Sequence, residues 1–284
     1  MLEHADRLLE LVKRASRHAA KAVRTVAWSA SYYAGPNRRY LGADDHHAAP
    51  LLDQTAQQAI VDVLDTLDNY VLVSEEVPGH ILCKGKDQGD LCFIADPLDG
   101  SAFARQRIPL ASSSLCAYSR AASRPLASAV TDVFLDVTYF AAGHLDGAFS
   151  EIEGRRLRIT TSGCSELGNA SCAALGAQPE RFMALASQER LTSSIRWLLN
   201  TGGALDVCRV AAGDLDIAVE FAKGFRIWDL AAAGHILEQA GGVFATPEGE
   251  RITLSSKPDQ RYKFIAAATR TLFTRAQEVI TWRR

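Results

Sequence analysis

The sequence has no long hydrophobic run: nowhere do about 18 apolar residues follow one another, so no segment reads as a membrane-spanning helix. An excess of either charge is missing too. With 31 basic and 33 acidic residues the formal net charge is −2, which leaves no broad footprint for nucleic acid or an anionic membrane, though a charged small substrate stays open. The six cysteines (Cys83, Cys92, Cys116, Cys164, Cys172, Cys208) form no CxxC pair. Scattered among apolar and small residues, they read as core filling, not as a disulfide framework or a zinc site. There is no internal repeat and no low-complexity tract. The opening stretch, MLEHADRLLELVKRASRHAA, carries charges throughout in place of a secretory apolar segment, so a soluble cytoplasmic protein is expected.

What is present is a chain of 284 residues, 48% hydrophobic, long enough for one large domain or two fused lobes around a substantial core. Leu8, Leu11, Val12, Ala15, Ala19, Ala22, Val23 and Val26 recur at helical spacing, which predicts an amphipathic helix over 3–30. A polar loop with Gly35-Pro36-Asn37 and Asp44-Asp45-His46-His47 follows; the latter reads as loop, not as a metal site. A second helix carries Leu52, Ala59, Ile60, Val63 and Leu64. Two short apolar β-rich runs come next, Tyr70–Ser74 and Leu91–Ala95, each ending in carboxylates: Glu75-Glu76 and Asp96. Further strands are expected at 113–119, 127–134, 137–142 and 156–160, joined as hairpins. Residues 161–180, rich in Gly, Ser, Ala and Asn, read as the change of lobe, dividing the chain into 1–160 and 161–284 within one catalytic unit. Beyond it, helices near 180–190, 203–212, 229–240 and 270–281 alternate with strands at 195–199, 216–221 and 263–268, the pattern of a layered α/β lobe.

The chemistry is carried by acids. Glu75, Asp96, Asp99 and Asp229 would together bring a charge of about −4 into one cleft, and two charges 4 Å apart already cost ~4 kcal/mol at an effective dielectric of 20. Such a group calls for cations, and all-oxygen ligation suits Mg²⁺, with Mn²⁺ as a substitute. In Asp96-Pro97-Leu98-Asp99-Gly100-Ser101, Pro97 is expected to fix a turn and Gly100 to allow close backbone approach. The segment then offers two carboxylates, the Leu98 carbonyl, two amides and the Ser101 hydroxyl. A short helix after Ser101 would add an anion-favouring N-terminus. Taken alone, P-x-D-G is also an ordinary turn and Asp229 an ordinary N-cap.

Together the segments VSEE (73–76), DPLDGS (96–101) and WDLAAAGHILEQAGG (228–242) resemble the inositol monophosphatase family, whose marks are an acidic pair after a strand, then DPxDGT, then WDxAAG running into AGG. GADDHHAAPLLDQTAQQAI (42–60) is similar to the early segment of archaeal-type members that also hydrolyse fructose 1,6-bisphosphate. The resemblance implies an α/β (α+β) fold, the layered αβαβα sandwich of the sugar phosphatases, and a homodimer. It makes Glu75, Asp96, Asp99, Asp229 and the Leu98 carbonyl ligands of two or three Mg²⁺ ions. Glu75, Asp96 and Ser101 would act in catalysis, with Glu75 and Ser101 orienting the attacking water. Gly100 and Ser101 fall on phosphate-contacting positions, Thr201, Gly202 and Gly203 on a substrate turn, and Glu220 on an acceptor for substrate hydroxyls. Asp53 matches an acid near the site. Ser101 stands for the usual Thr, and Thr201 and Ala233 stand where Gly is usual, with Gly234 one place later. Two extra residues separate Glu220 from Trp228. In that stretch Lys223 and Arg226 either bind a second phosphate or belong to a solvated loop. The implied substrate is a small sugar or polyol phosphate, inositol monophosphate or fructose 1,6-bisphosphate. The alternatives are 3'-phosphoadenosine 5'-phosphate, or a silent relative that only binds metal or sugar phosphate. Trp28, Tyr32 and Tyr33 are expected to cover the end of the first helix or a subunit contact.

Overall fold

A computed structural model describes residues 2–29, 51–86 and 89–282. Helix α1 (Leu2–Ala27) buries the stripe Leu9, Val12, Ala15, Ala19 and Val23, as its spacing demands. It stops at Ala27, short of the expected 30, where Arg107 Nε donates to the Ala27 carbonyl at 2.9 Å and the guanidinium lies 5.2 Å from the Trp28 ring. Helix α2 (Leu51–Leu64) packs beside it through Leu52, Ala56, Ile60 and Leu64. Tyr32, Tyr33 and the Asp44–His47 segment lie outside the described residues. Among the described residues no helix is long and apolar enough to cross a membrane.

Eight strands form the first sheet: β1 (Tyr70–Ser74), β2 (Ile81–Lys84), β3 (Leu91–Asp99), β4 (Ser112–Ser119), β5 (Arg124–Asp132), β6 (Thr138–Ala142), β7 (Ala148–Ile152) and β8 (Arg155–Ile159). Their order is β2-β1-β3-β4-β5-β6-β7-β8, with β1 parallel to β3 and every other pair antiparallel. The second sheet contains β9 (Ser171–Ala174), β10 (Trp197–Leu199), β11 (Ile217–Arg226), β12 (Val243–Ala245) and β13 (Arg261–Ala267), in the order β10-β9-β11-β13-β12. Among the described residues the other α-helices are α3 (Ser101–Gln106), α4 (Pro179–Ala186), α5 (Glu189–Thr192), α6 (Ala204–Ala212), α7 (Ile227–Gln239) and α8 (Arg270–Val279).

Period-two alternation assigns the layers. In β1, Tyr70 and Leu72 join the core beneath α1 and α2, while Val71 and Val73 join the core shared with α6 and α7. On the second sheet Ala218 of β11 and Phe264 of β13 face that same middle layer; Ile217, Val219 and Ile265 face α4 and α8. The result is an αβαβα stack with helices α6 and α7 between the sheets, each strand at the centre buried on both faces.

Several strands depart from expectation. Residues 161–180 contain β9, a central strand built of Ser, Cys and Ala that carries no β-branched signal. Strands β2, β7 and β12 were not anticipated either: β2 is an edge with Ile81 47% exposed, β7 mixes Ser150 and Glu151 into its run, and β12 has only three residues. Strand β3 does not end at Ala95. It continues through Pro97 to Asp99, so the expected Pro97 turn is a bulged strand instead, and the reversal falls at Gly100.

Candidate active site

The β3 bulge sets the geometry. Asp96 pairs with Ser114 and Asp99 with Ser112, so Pro97 and Leu98 together oppose Ser113 alone. Residues three apart would point to opposite faces of a regular strand; the one extra residue brings both aspartates to the same side. Pro97 is tolerated there because a bulge interrupts the ladder that its missing N–H would have served. Leu98 turns its side chain into the core beneath α1 and donates its N–H to Asp96 Oδ1 at 3.1 Å. Gly100 follows with φ of +77°, and a Cβ there would lie 2.3 Å from the Leu110 carbonyl oxygen, so only glycine makes this reversal. Helix α3 begins at once, with Phe103 and Ala104 donating back to the Gly100 carbonyl.

Three elements supply the remaining acids. Glu75 follows the last residue of β1, and Asp229 stands in the first turn of α7, where its Oδ2 accepts from the Arg226 N–H at 2.7 Å. Carboxylate oxygens of Glu75, Asp96 and Asp229 lie within 4.8 Å of one another. Asp99 faces the opposite helix: its Oδ2 accepts from the Ala204 N–H at 2.7 Å, at the start of α6. The Trp228 carbonyl is held by Ser114 Oγ at 3.3 Å, tying α7 to β4 behind the acids.

Burial makes this arrangement costly without cations. Burial pushes the Asp96 carboxyl well above the usual range, and the charges of Asp99, Asp229 and Glu75 push it further. Asp99 rises to about 7 for the same reasons, burial first and the Asp229 charge next, against the Ala204 N–H. Asp229 rises to about 6 through burial, opposed by the Arg226 N–H. Two further acids belong to the group. Burial lifts Asp53 to about 6 despite Arg105, and it senses both Ser101 and Glu75. Glu76 is lifted to about 7 by burial and by the charges of Asp53 and Glu75. Sequence reasoning singled out Glu75 from its pair and gave Glu76 no role; their adjacency was the available signal. Clustered carboxyls whose ionised forms oppose one another are the chemistry of a hard-cation site, and oxygen is the only donor they offer. The residues present therefore fit a divalent metal.

The expected substrate residues separate. Thr201, Gly202 and Gly203 form the turn into α6. A Cβ at Gly202 would sit 2.6 Å from Leu175 Cβ, and one at Gly203, where φ is +135°, would sit 2.3 Å from Asp99 Oδ2. Thr201 meets no such limit; its hydroxyl is buried near Asp206. Glycine at 201 is not what the close packing requires. Similarly, Ala233 is fully buried, and the tight contact belongs to Gly234, where a Cβ would lie 2.5 Å from Phe244 Cδ1.

Arg226 reaches the acids: its Nη1 lies 3.0 Å from Glu75 Oε1. Lys223 does not; it pairs with Glu180 of α4 at 2.7 Å. Glu220 is 2% exposed, and its oxygens turn inward. Oε1 accepts from the Ala222 N–H at 2.7 Å and the Gly224 N–H at 3.3 Å, while Oε2 lies 3.6 Å from Arg181 Nη1. The register of β11 against β13 shifts between Glu220 and Phe225, so that residues 221–224 oppose Lys263 alone, and Glu220 anchors this bulge through the Ala222 and Gly224 N–H groups. His80 was not foreseen: its ring lies 4.8 Å from that of the buried Trp228, which the Arg226 guanidinium flanks at 5.2 Å.

Known proteins bear on this site. The family model described as "Inositol monophosphatase family" matches residues 6–280. A fructose-1,6-bisphosphatase/inositol-1-monophosphatase of Methanothermobacter thermautotrophicus is 30% identical over 251 residues, covering 84% of this chain and 85% of its own length. Among solved structures, the extragenic suppressor protein suhB from Bartonella henselae superposes with a TM-score of 0.76 at 20% identity, covering 97% of this chain and 98% of that one. An inositol monophosphatase from Anabaena gives 0.72 at 19% identity, with 96% and 95% covered. At those identities the two structures speak for the fold alone.

Proposed function

Because the chain belongs to the inositol monophosphatase family, we propose that it is a Mg²⁺-dependent phosphomonoester hydrolase acting on a small sugar or polyol phosphate. The observation that carries this reading is the convergence of Glu75, Asp96 and Asp229 within 4.8 Å, from β1, β3 and α7. In this reading Glu75, Asp96, Asp99, Asp229 and the Leu98 carbonyl hold two or three Mg²⁺ ions, with Mn²⁺ as a substitute. When bound, the ions lower the pKa of water and neutralise charge on the phosphoryl group. Glu75 and the Ser101 hydroxyl orient the water that attacks phosphorus. Backbone amides of Gly100 and Ser101, at the glycine reversal into α3, receive phosphate oxygens. The lobes 1–160 and 161–284 act as one catalytic unit, since the acids come from both.

For substrate we propose inositol monophosphate or fructose 1,6-bisphosphate, in line with the name of the Methanothermobacter relative. Gly203, the last residue of the turn Thr201–Gly203, lies against Asp99, and in this reading the turn forms a wall of the substrate site. Arg226 stands where a second anionic group would be received, with Lys223 further out at the rim. Glu220 acts on substrate only through the bulge that it anchors.

The experiment is phosphate release measured over inositol 1-phosphate, fructose 1,6-bisphosphate and 3'-phosphoadenosine 5'-phosphate, with Mg²⁺ and with a chelator. Turnover of a sugar or polyol phosphate that chelator abolishes is the expected result. Silence on all three, with Mg²⁺ present, would instead mark a chain that binds without hydrolysing.

A further inference from the structure

Arg226 touches the acid cluster twice. Its N–H donates to Asp229 Oδ2 at 2.7 Å, and its Nη1 lies 3.0 Å from Glu75 Oε1 across 151 residues of sequence. The backbone is fixed, because Arg226 also pairs with Arg261 of β13 at the end of the bulged β11. The side chain is less well satisfied. Its Nε is buried with no acceptor, while the guanidinium lies 5.2 Å from the Trp228 ring. A buried donor without a partner is uncommon and marks a pose that other partners can displace. Glu75, with 42% of its side chain exposed, is free to change partner.

A guanidinium and a divalent cation on one carboxylate repel each other and draw on the same oxygens. From this geometry, and resting on the metal-dependent reading above, we propose that Arg226 is the resident counter-cation of the site. It holds Glu75 beside Asp96 and Asp229 and competes with the divalent cation for that carboxylate. Arg226 is then a positioning residue that sets the affinity for metal, and its own backbone bond to Asp229 keeps the displaced guanidinium at the mouth of the site.

The test uses the full chain and a readout independent of turnover. Mn²⁺ binding is followed by electron paramagnetic resonance for wild type, Arg226→Met and Arg226→Lys, with circular dichroism confirming that each is folded. Arg226→Met is expected to bind Mn²⁺ about three- to tenfold more tightly, because the competing charge is gone. Arg226→Lys, which keeps that charge, is expected to return toward the wild-type affinity. In parallel, Mg²⁺ should alter tryptophan emission in wild type, as the guanidinium leaves the face of Trp228, and leave it unaltered in Arg226→Met. Equal or weaker Mn²⁺ binding in Arg226→Met overturns the competition while leaving the metal site intact. Absence of Mn²⁺ binding in wild type overturns the metal-dependent reading itself, and the competition with it.

Discussion

Gly203 lies so close to Asp99 that a Cβ on the glycine would stand 2.3 Å from Asp99 Oδ2. This approach lets the next residue, Ala204, donate its N–H to that same oxygen, so an acid of the first sheet caps a helix beneath the second. Gly203→Ala forces a side chain into a left-handed backbone at φ of +135° and onto a carboxylate. Strain of this kind costs about 1–3 kcal/mol, which corresponds to a fall in melting temperature of roughly 2–10 °C for a chain of this size. Calorimetry reads the fall, and phosphate release should drop with it because Asp99 is displaced. An unchanged melting point would contradict the contact.

The pH dependence follows from raised carboxyls. Asp99 near 7, Glu76 near 7, and Asp53 and Asp229 near 6 all bind protons more tightly in the folded chain than in the unfolded one. The folded state therefore holds more protons between the unfolded carboxyl range and pH 7, and its stability falls as pH rises through that window. Below about pH 4 both states are protonated and the penalty is absent. In chelator, the melting temperature is expected to decline from pH 5 to pH 8. Saturating Mg²⁺ should cancel most of the decline, which a thermal melt series with and without the ion measures.

Glu220 gives a prediction about specificity. With Oε1 on the Ala222 and Gly224 N–H groups and Oε2 3.6 Å from Arg181 Nη1, it holds the bulge, and its role is expected to be structural. Glu220→Gln keeps an acceptor for the two backbone N–H groups and should affect inositol 1-phosphate and p-nitrophenyl phosphate alike. Glu220→Leu strands the buried Arg181 charge and should destabilise the fold by about 3–5 kcal/mol. A KM increase confined to the polyol substrate in Glu220→Gln would show that the carboxylate reads hydroxyls after all.

Packing of α7 on β12 is also testable. Gly234→Ala places a methyl 2.5 Å from Phe244 Cδ1, an overpacking expected to cost about 1–3 kcal/mol. Ala233→Gly, the change toward the usual family residue, should cost about 1 kcal/mol through helix propensity alone. Chemical denaturation separates the two.

What the sequence made legible was whatever repeats at a fixed period or sits at a strand end. Strand β1 and the first half of β3 carry near-continuous apolar runs because both faces are buried, and the acids Glu75 and Asp96 follow those runs directly. Strand β9 escaped because Ser-Cys-Ala-Ala packs by being small, a property that propensity does not record. The Pro97 bulge escaped because proline and glycine signal a break, and nothing local tells a bulge from a turn. The same holds for β11, where the extra residues after Glu220 could have been a loop. Long-range pairings, Arg226 with Glu75 and Glu220 with Arg181, depend on how the layers stack, and no periodicity encodes them.

Asp96 is the most buried acid of the cluster and the one on which the charges of Asp99, Asp229 and Glu75 all bear. The most direct measurement is Mg²⁺-dependent phosphate release from inositol 1-phosphate and fructose 1,6-bisphosphate by wild type and by Asp96→Asn, a change that keeps size and removes charge. The expected result is turnover in wild type and a loss of about a thousandfold or more, on the order of 4 kcal/mol, in the folded variant. Near-normal turnover in Asp96→Asn would mean that this carboxylate does not hold the metal on which the reaction depends.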